Sequence, residues 1–143
     1  INDIVPVDSD LRSPEVNAQV SKFAAIPELR QKLFAYQRSL ADLARDQNYA
    51  GLVMEGRDIG SNVFPDTDFK FYLDASLDER SKRRAADGVD ENLAERDKQD
   101  SQRAAAPLMI PLGAKVINNS EMTAEETSAL IIGEVQEKLE AAG

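Results

Sequence analysis

The chain contains neither cysteine nor histidine. Without cysteine there are no disulfides and no thiolate metal ligands. Without histidine there is no Ser-His or Cys-His nucleophilic catalysis and no imidazole ligation. No apolar run approaches the ~20 residues of a membrane span. The opening Ile1-Asn2-Asp3-Ile4-Val5 is neither basic nor long enough in apolar residues for a signal peptide. These absences lead to the expectation of a cytoplasmic protein with no membrane contact. A net charge of -9 opposes binding to a nucleic-acid polymer, yet arginines can still cluster around a small phosphate. No internal repeat, low-complexity segment or interdomain linker is visible. What remains is a 143-residue chain, 42% hydrophobic, which suits one domain with a proper core. It begins at Ile1 rather than at methionine, as a processed product, a domain of a longer protein or a partial sequence would.

The stretch Gly51-Leu52-Val53-Met54-Glu55-Gly56-Arg57-Asp58 organises the rest. Its short apolar run between turn residues predicts a buried strand. Three charges then crowd around Gly56, and Ile59 and Gly60 follow. The carboxyl end of a strand is where α/β sheets bind ligands, and glycines there allow close backbone approach. The alternative is a solvated turn that happens to be charged.

Along the chain, the apolar and acidic positions of residues 1–10 read as the end of a hairpin. Ser13-Pro14-Glu15 is a helix start, with Ser13 as N-cap, and the first helix runs to about Ala25. Pro27 opens a second helix, on which Leu29, Leu33, Tyr36, Leu40 and Leu43 form a core-facing stripe. Phe69-Lys70-Phe71-Tyr72-Leu73 reads as a strand, and Ser76 with Glu79 as a capping box that starts a helix carrying Arg80, Arg83 and Arg84. Strand, loop, strand, helix is parallel-sheet grammar. Residues 90–103 are almost wholly polar, anchored by Val89 and Leu93: either a solvated, salt-bridged helix or a mobile lid. Arg96 and Arg103 share a face there, with Asp100 between them. Residues 115–119 read as a last strand. Thr123 with Glu126 caps a final helix that carries Leu130, Ile131, Val135 and Leu139 on one side.

Arg57, Arg96 and Arg103 all fall in polar segments near the expected ligand face. Arginine's planar fork suits phosphate, and Asp58 and Asp100 can accept from amino or hydroxyl groups. Several arginines and a few aspartates, with no histidine or cysteine, fit phosphoryl transfer, which needs positioning and charge neutralisation more than a nucleophile.

At this point a resemblance emerges. Residues 56–66, Gly-Arg-Asp-Ile-Gly-Ser-Asn-Val-Phe-Pro-Asp, followed by Phe71-Tyr72-Leu73-Asp74-Ala75, Glu79-Arg80 and Arg83-Arg84, resemble bacterial cytidylate kinase. So do residues 95–103, Glu-Arg-Asp-Lys-Gln-Asp-Ser-Gln-Arg, then Ala106-Pro107-Leu108, and upstream Leu11-Arg12-Ser13-Pro14-Glu15-Val16 and the run from Ala24 to Arg30. The resemblance spans nearly the whole chain in order. It implies an α/β chain, part of a P-loop nucleoside monophosphate kinase fold: a parallel sheet flanked by helices, with monophosphate-binding helices and a short lid. Within a single unit over 1–143, the monophosphate-binding region is 1–48, the core strands and Gly-Arg-Asp turn 49–79, the lid 80–106, and the last strand and helix 107–143.

The implied activity is ATP-dependent phosphorylation of CMP or dCMP to CDP or dCDP, with Mg²⁺ carried on the ATP phosphates and no protein metal site. The implied partners are these small substrates only, and the complete protein is a monomer. By resemblance Arg57 and Arg96 are catalytic and hold the acceptor phosphate. Asp58, Arg30 and Arg103 read the base. Ser21, Asp100 and Arg96 contact the sugar. Arg80, Arg83 and Arg84 lie on the lid and ATP side.

Three departures stand out. Glu55 replaces the family's usual aspartate, and the segment 85–94 is shorter than the usual lid. No Gly-x-x-x-x-Gly-Lys-Ser/Thr phosphate loop occurs in the chain. The expectation is therefore the C-terminal two-thirds of the kinase, inactive alone. The alternative, from another class, is a non-catalytic nucleotide-binding or interaction domain derived from it; a third reading is a purely structural α/β domain.

Overall fold

The computed structural model describes residues 13–88 and 92–142. The expected hairpin end at 1–10 and the anchor Val89 lie outside the described residues. In chain order the elements are α1 (Pro14–Ala24), α2 (Pro27–Asp46), a π-helical turn (Ile59–Val63), β1 (Phe71–Asp74), α3 (Leu77–Ala86), α4 (Leu93–Ser101), β2 (Lys115–Asn118) and α5 (Ala124–Ala142). The architecture is α/β: a parallel pair of strands flanked by helices.

β1 and β2 pair in parallel from Phe71 opposite Lys115 to Asp74 opposite Asn118. Parallel neighbours need a long crossover, and here the crossover carries α3 and α4. The ladder extends past both strand ends, through Lys115 N–H to the Lys70 carbonyl (2.9 Å) and Asn119 N–H to the Asp74 carbonyl (2.8 Å). Ile117 of β2, Ala75 just after β1, Leu93 at the start of α4 and Val63 in the π turn are the buried apolar residues among those described.

Each helix start follows from its sequence. Ser13 Oγ accepts from Val16 N–H (3.3 Å), with Pro14 in the first turn of α1. The Thr123–Glu126 box before α5 closes from both sides, at 2.8 and 3.1 Å. The Ser76–Glu79 box before α3 closes from one side only. Ser76 Oγ accepts from Glu79 N–H (3.2 Å), but the Glu79 carboxylate turns to Arg83 and the Ser76 amide donates to Ser120 Oγ. A stronger partner one helical turn on takes the glutamate away from the box.

Two expectations are corrected. Leu52-Val53-Met54 lies in a loop, not a buried strand, and Val53 is 98% exposed. A strand exists through its ladder partner, and among the described residues β1 and β2 pair only with each other. The stripe on α2 is also not a core face. Leu33, Tyr36 and Leu43 are exposed and no residue of α2 is buried, because α2 packs mainly on α1 and the π turn. An apolar stripe marks a face that could be covered; it does not supply the covering surface.

Two glycines allow close packing around the central turn. A Cβ on Gly56 would stand 2.8 Å from Ile59 Cγ1. One on Gly60 would crowd Pro111 and Lys70 at 3.2 and 3.3 Å. No helix among the described residues is long and apolar enough to cross a membrane.

Candidate active site

The loop that fails to be a strand still delivers its charged turn to one place. Gly56, Arg57 and Asp58 meet α1, α2 and α4 around a cavity of about 290 Å³. Val20 and Ala24 of α1, with Leu33 and Phe34 of α2, form an apolar wall. Arg30, Arg57, Asp58, Arg96, Asp100 and Arg103 bring charge to the same cavity. Six of the seven residues expected to bind substrate therefore converge. The seventh, Ser21, follows Val20 on α1; its side chain lies outside the described residues.

Arg30 is placed by a helix end. Its Nη1 donates to the Ala24 carbonyl at the C-terminus of α1 (3.0 Å) and its Nη2 pairs with Asp58. Helix C-termini leave carbonyls without intrahelical partners and favour cations. The tight Ala24-to-Pro27 junction therefore aims this guanidinium at the central turn.

Asp100 is the buried centre of the charge cluster, its side chain only 3% exposed. Arg103 Nη1 lies 3.4 Å from one carboxylate oxygen, Arg57 Nε 2.5 Å and Arg96 Nε 3.9 Å from the other. The Arg57 Nε contact is close enough for an ion pair but not aligned as a hydrogen bond. Arg103 also donates to the Ala106 carbonyl (3.0 Å). The shared face expected for Arg96, Asp100 and Arg103 is present, although α4 ends at Ser101.

Asp97, one turn before Asp100, joins the cluster to α3. It accepts from Arg57 Nη2 and from Arg80 Nη1, both at 2.5 Å. Among the described residues, the guanidiniums of Arg57, Arg80, Arg96 and Arg103 gather around the carboxylates of Asp97 and Asp100. A cluster rich in guanidiniums suits a phosphate monoester.

Burial raises the affinity of Asp97 for its proton, but the hydrogen bonds and charges of Arg57 and Arg80 outweigh it and hold the carboxyl below its usual range. A folded pKa below the unfolded one stabilises the fold above the unfolded value and loses that contribution as pH falls through the folded value. Asp97→Asn should accordingly flatten the acid-side loss of stability below about pH 4. Thermal unfolding of both proteins across that range checks this; parallel pH curves would contradict it.

Arg80, Arg83 and Arg84, the arginines expected on a lid, do not line the cavity. Arg80 is linked to the cavity through Asp97, which pairs with Arg57, and its Nε donates to the Ala75 carbonyl (3.0 Å). Arg83 is fastened to Asn119 through both the side-chain and main-chain oxygens, at 3.0 and 2.7 Å, and to Glu79. Arg84 is half-buried on α3.

Among the described residues no group of three or more carboxylates could hold a metal ion. Asp58, Asp97 and Asp100 all face guanidiniums. These residues do not fit a resident Mg²⁺.

Sequence reasoning missed Asp97, Gln37 and Asn62. Gln37 lies seven residues after Arg30 and three after Phe34, so helical spacing could have found it. Asp97 lies three before Asp100, which puts both on one side of a helix.

The family model for cytidylate kinase matches residues 2–137. The cytidylate kinase of Chloroherpeton thalassium is 40% identical over 140 residues, covering 87% of this chain and 57% of that protein. The cytidylate kinase of Pelotomaculum thermopropionicum is 39% identical, covering 90% of this chain and 59% of that protein. A bifunctional pantoate ligase/cytidylate kinase of Acaryochloris marina is 40% identical over 144 residues, covering 92% of this chain and 26% of that protein. The chain thus spans well under two-thirds of the length of these relatives.

Proposed function

The chain belongs to the cytidylate kinase family, and on that premise we propose that it supplies the acceptor pocket and lid of an ATP-dependent kinase for CMP or dCMP. The observation that carries this reading is the cavity in which six charged residues, four of them arginines, meet beside an apolar wall. A nucleoside monophosphate has the matching parts: a planar base, a sugar and a dianion.

Asp58 and Arg30 stand paired at the cavity, an acceptor beside a donor. Cytosine offers the complement, since its amino group donates while its ring nitrogen and carbonyl accept. Arg103 adds a further donor, and Val20, Leu33 and Phe34 give the ring an apolar surface. Arg57 and Arg96 hold the acceptor phosphate, and Asp100 and Ser21 meet the sugar.

In the reaction an oxygen of the acceptor phosphate attacks the γ-phosphorus of ATP in line. The bond from that phosphorus to the β,γ-bridging oxygen breaks, and ADP leaves. The acceptor is already anionic, so no general base is required; alignment and charge neutralisation lower the barrier. Mg²⁺ carried on the ATP phosphates would supply charge neutralisation there.

In the complete protein, Arg57→Ala should raise the CMP KM and lower kcat together. Its guanidinium touches the acceptor phosphate in both ground and transition states, and a lost charge-assisted pair costs ~1.5–3 kcal/mol, about 10- to 150-fold in kcat/KM. Steady-state coupled assays measure this, and values within twofold of wild type would remove Arg57 from phosphate binding. A wild-type protein that binds CMP yet forms no CDP would point instead to a nucleotide-binding domain without catalysis.

A further inference from the structure

An Arg57 that meets the acceptor phosphate must be held still. Arginine has five N–H donors on a long stem, so a guanidinium that must meet a phosphate needs anchoring at one edge and freedom at the other. Among the described residues, the side chain of Arg57 makes a single hydrogen bond, from Nη2 to Asp97 Oδ1 at 2.5 Å. Its Nε lies within ion-pair distance of Asp100 but is not aligned to donate to it. Its Nη1 makes no hydrogen bond among the described residues, and Arg57 lines the cavity.

Asp97 is not a second Asp100. Its other oxygen, Oδ2, accepts from Arg80 Nη1 at 2.5 Å. Arg80 is itself fixed at the end of β1 by its Nε bond to the Ala75 carbonyl (3.0 Å). A continuous line therefore runs from the backbone after β1, through Arg80 and Asp97, to Arg57. Ala75 is among the buried apolar residues, so the line starts at a rigid point.

We propose that Asp97 is a positioning residue for phosphoryl transfer: its carboxylate bridges Arg57 and Arg80, fixing the Arg57 guanidinium for the acceptor phosphate and tying α3 to the acceptor pocket. The inference rests on the acceptor-site reading. Asp97 occupies one edge of Arg57 and leaves Nη1 for ligand, so it orients the arginine instead of withdrawing it. Replacing Asp97 by asparagine removes a negative charge beside the cluster, so attraction for the phosphate dianion is not weakened. What is lost is alignment, and a misplacement of about 1 Å can cost ~100-fold in rate.

The complete protein carrying Asp97→Asn should show kcat lowered ~10- to 100-fold, with the CMP KM unchanged or lower. That split differs from Arg57→Ala, in which KM rises as kcat falls. Asp97→Glu, which keeps the charge, should recover part of the lost kcat. A second readout needs no turnover: in ¹⁵N NMR the guanidinium signals of Arg57, assigned by their loss in Arg57→Ala, should be resolved and slowly exchanging in wild type and averaged in Asp97→Asn. A kcat within twofold of wild type, or a KM that rises in step with the fall in kcat, would overturn the proposal. So would Arg57 signals unchanged by the substitution. A wild-type protein that makes no CDP would sink the acceptor-site reading alone, and the Arg57 signals would still decide whether Asp97 positions that side chain.

Discussion

Asp100→Ala should destabilise the protein by about 3 kcal/mol or more, since removing one member of a buried charge cluster typically costs 3–5 kcal/mol. Asp100 is the most deeply buried charge among the described residues, at 2% exposure. Its carboxylate serves Arg57, Arg96 and Arg103 at once, and the side chain of Arg103 is only 8% exposed. Truncation leaves mutually repelling guanidiniums around a void, and Arg103 is too enclosed for water to replace the lost counter-ion. Arg57 and Arg96, at 29% and 22% exposure, can recover some hydration. The largest share of the penalty therefore falls on Arg103.

A loss of that size corresponds to a fall in melting temperature of roughly 10 °C for a domain near this length. Asp100→Asn keeps the shape and one acceptor, so it should cost less than alanine but more than an exposed charge. Arg103→Met paired with Asp100→Leu removes both partners of the most buried pair and should restore part of the stability lost in Asp100→Ala. Thermal and urea unfolding measure all three variants. A melting temperature for Asp100→Ala within 2–3 °C of wild type, about 1 kcal/mol, would mean that the cluster does not depend on its central carboxylate.

The residues that form this cluster are legible in the sequence because their chemistry is local and periodic. Arg96, Asp100 and Arg103 announce themselves by helical spacing, and Gly56-Arg57-Asp58 by charge packed beside glycine. The helix starts at Ser13, Ser76 and Thr123 were legible for the same reason, since a cap depends on residues three positions apart. The failures are the features that depend on distant partners. Leu52-Val53-Met54 has the composition of a strand, but composition cannot supply the neighbour that would pair with it. The α2 stripe has the right period, but none of its residues is buried among the described residues, and Leu33, Tyr36 and Leu43 are exposed. Asp97 was overlooked because its significance lies in Arg57 and Arg80, 40 and 17 residues away. Those separations carry no local signal, only a tertiary one.

The same dependence on partners governs the last expectation: the 143 residues, purified alone, should form no measurable CDP from CMP and MgATP. Phosphoryl transfer from ATP needs backbone amides wrapped around the β- and γ-phosphates and a lysine that follows them. No Gly-x-x-x-x-Gly-Lys-Ser/Thr occurs in this sequence. Gly51 to Arg57 comes near that spacing, but its interior is Leu52, Val53 and Met54 in a loop, and it ends in an arginine held by Asp97. Arg80 and Arg83 are tied to Asp97, Ala75, Glu79 and Asn119, so their pull on a triphosphate is weak and falls with salt. Exposed apolar residues on both strands, Leu73 at 52% and Val116 at 48%, leave the sheet open to association. Light scattering of the isolated chain should therefore show self-association at concentrations where the complete protein stays dispersed. Incubation with MgATP and CMP, followed by chromatographic detection of CDP and ADP, tests the catalytic half. CDP above a no-protein control would show that these residues bind and align the donor phosphates by a route other than a glycine-rich loop.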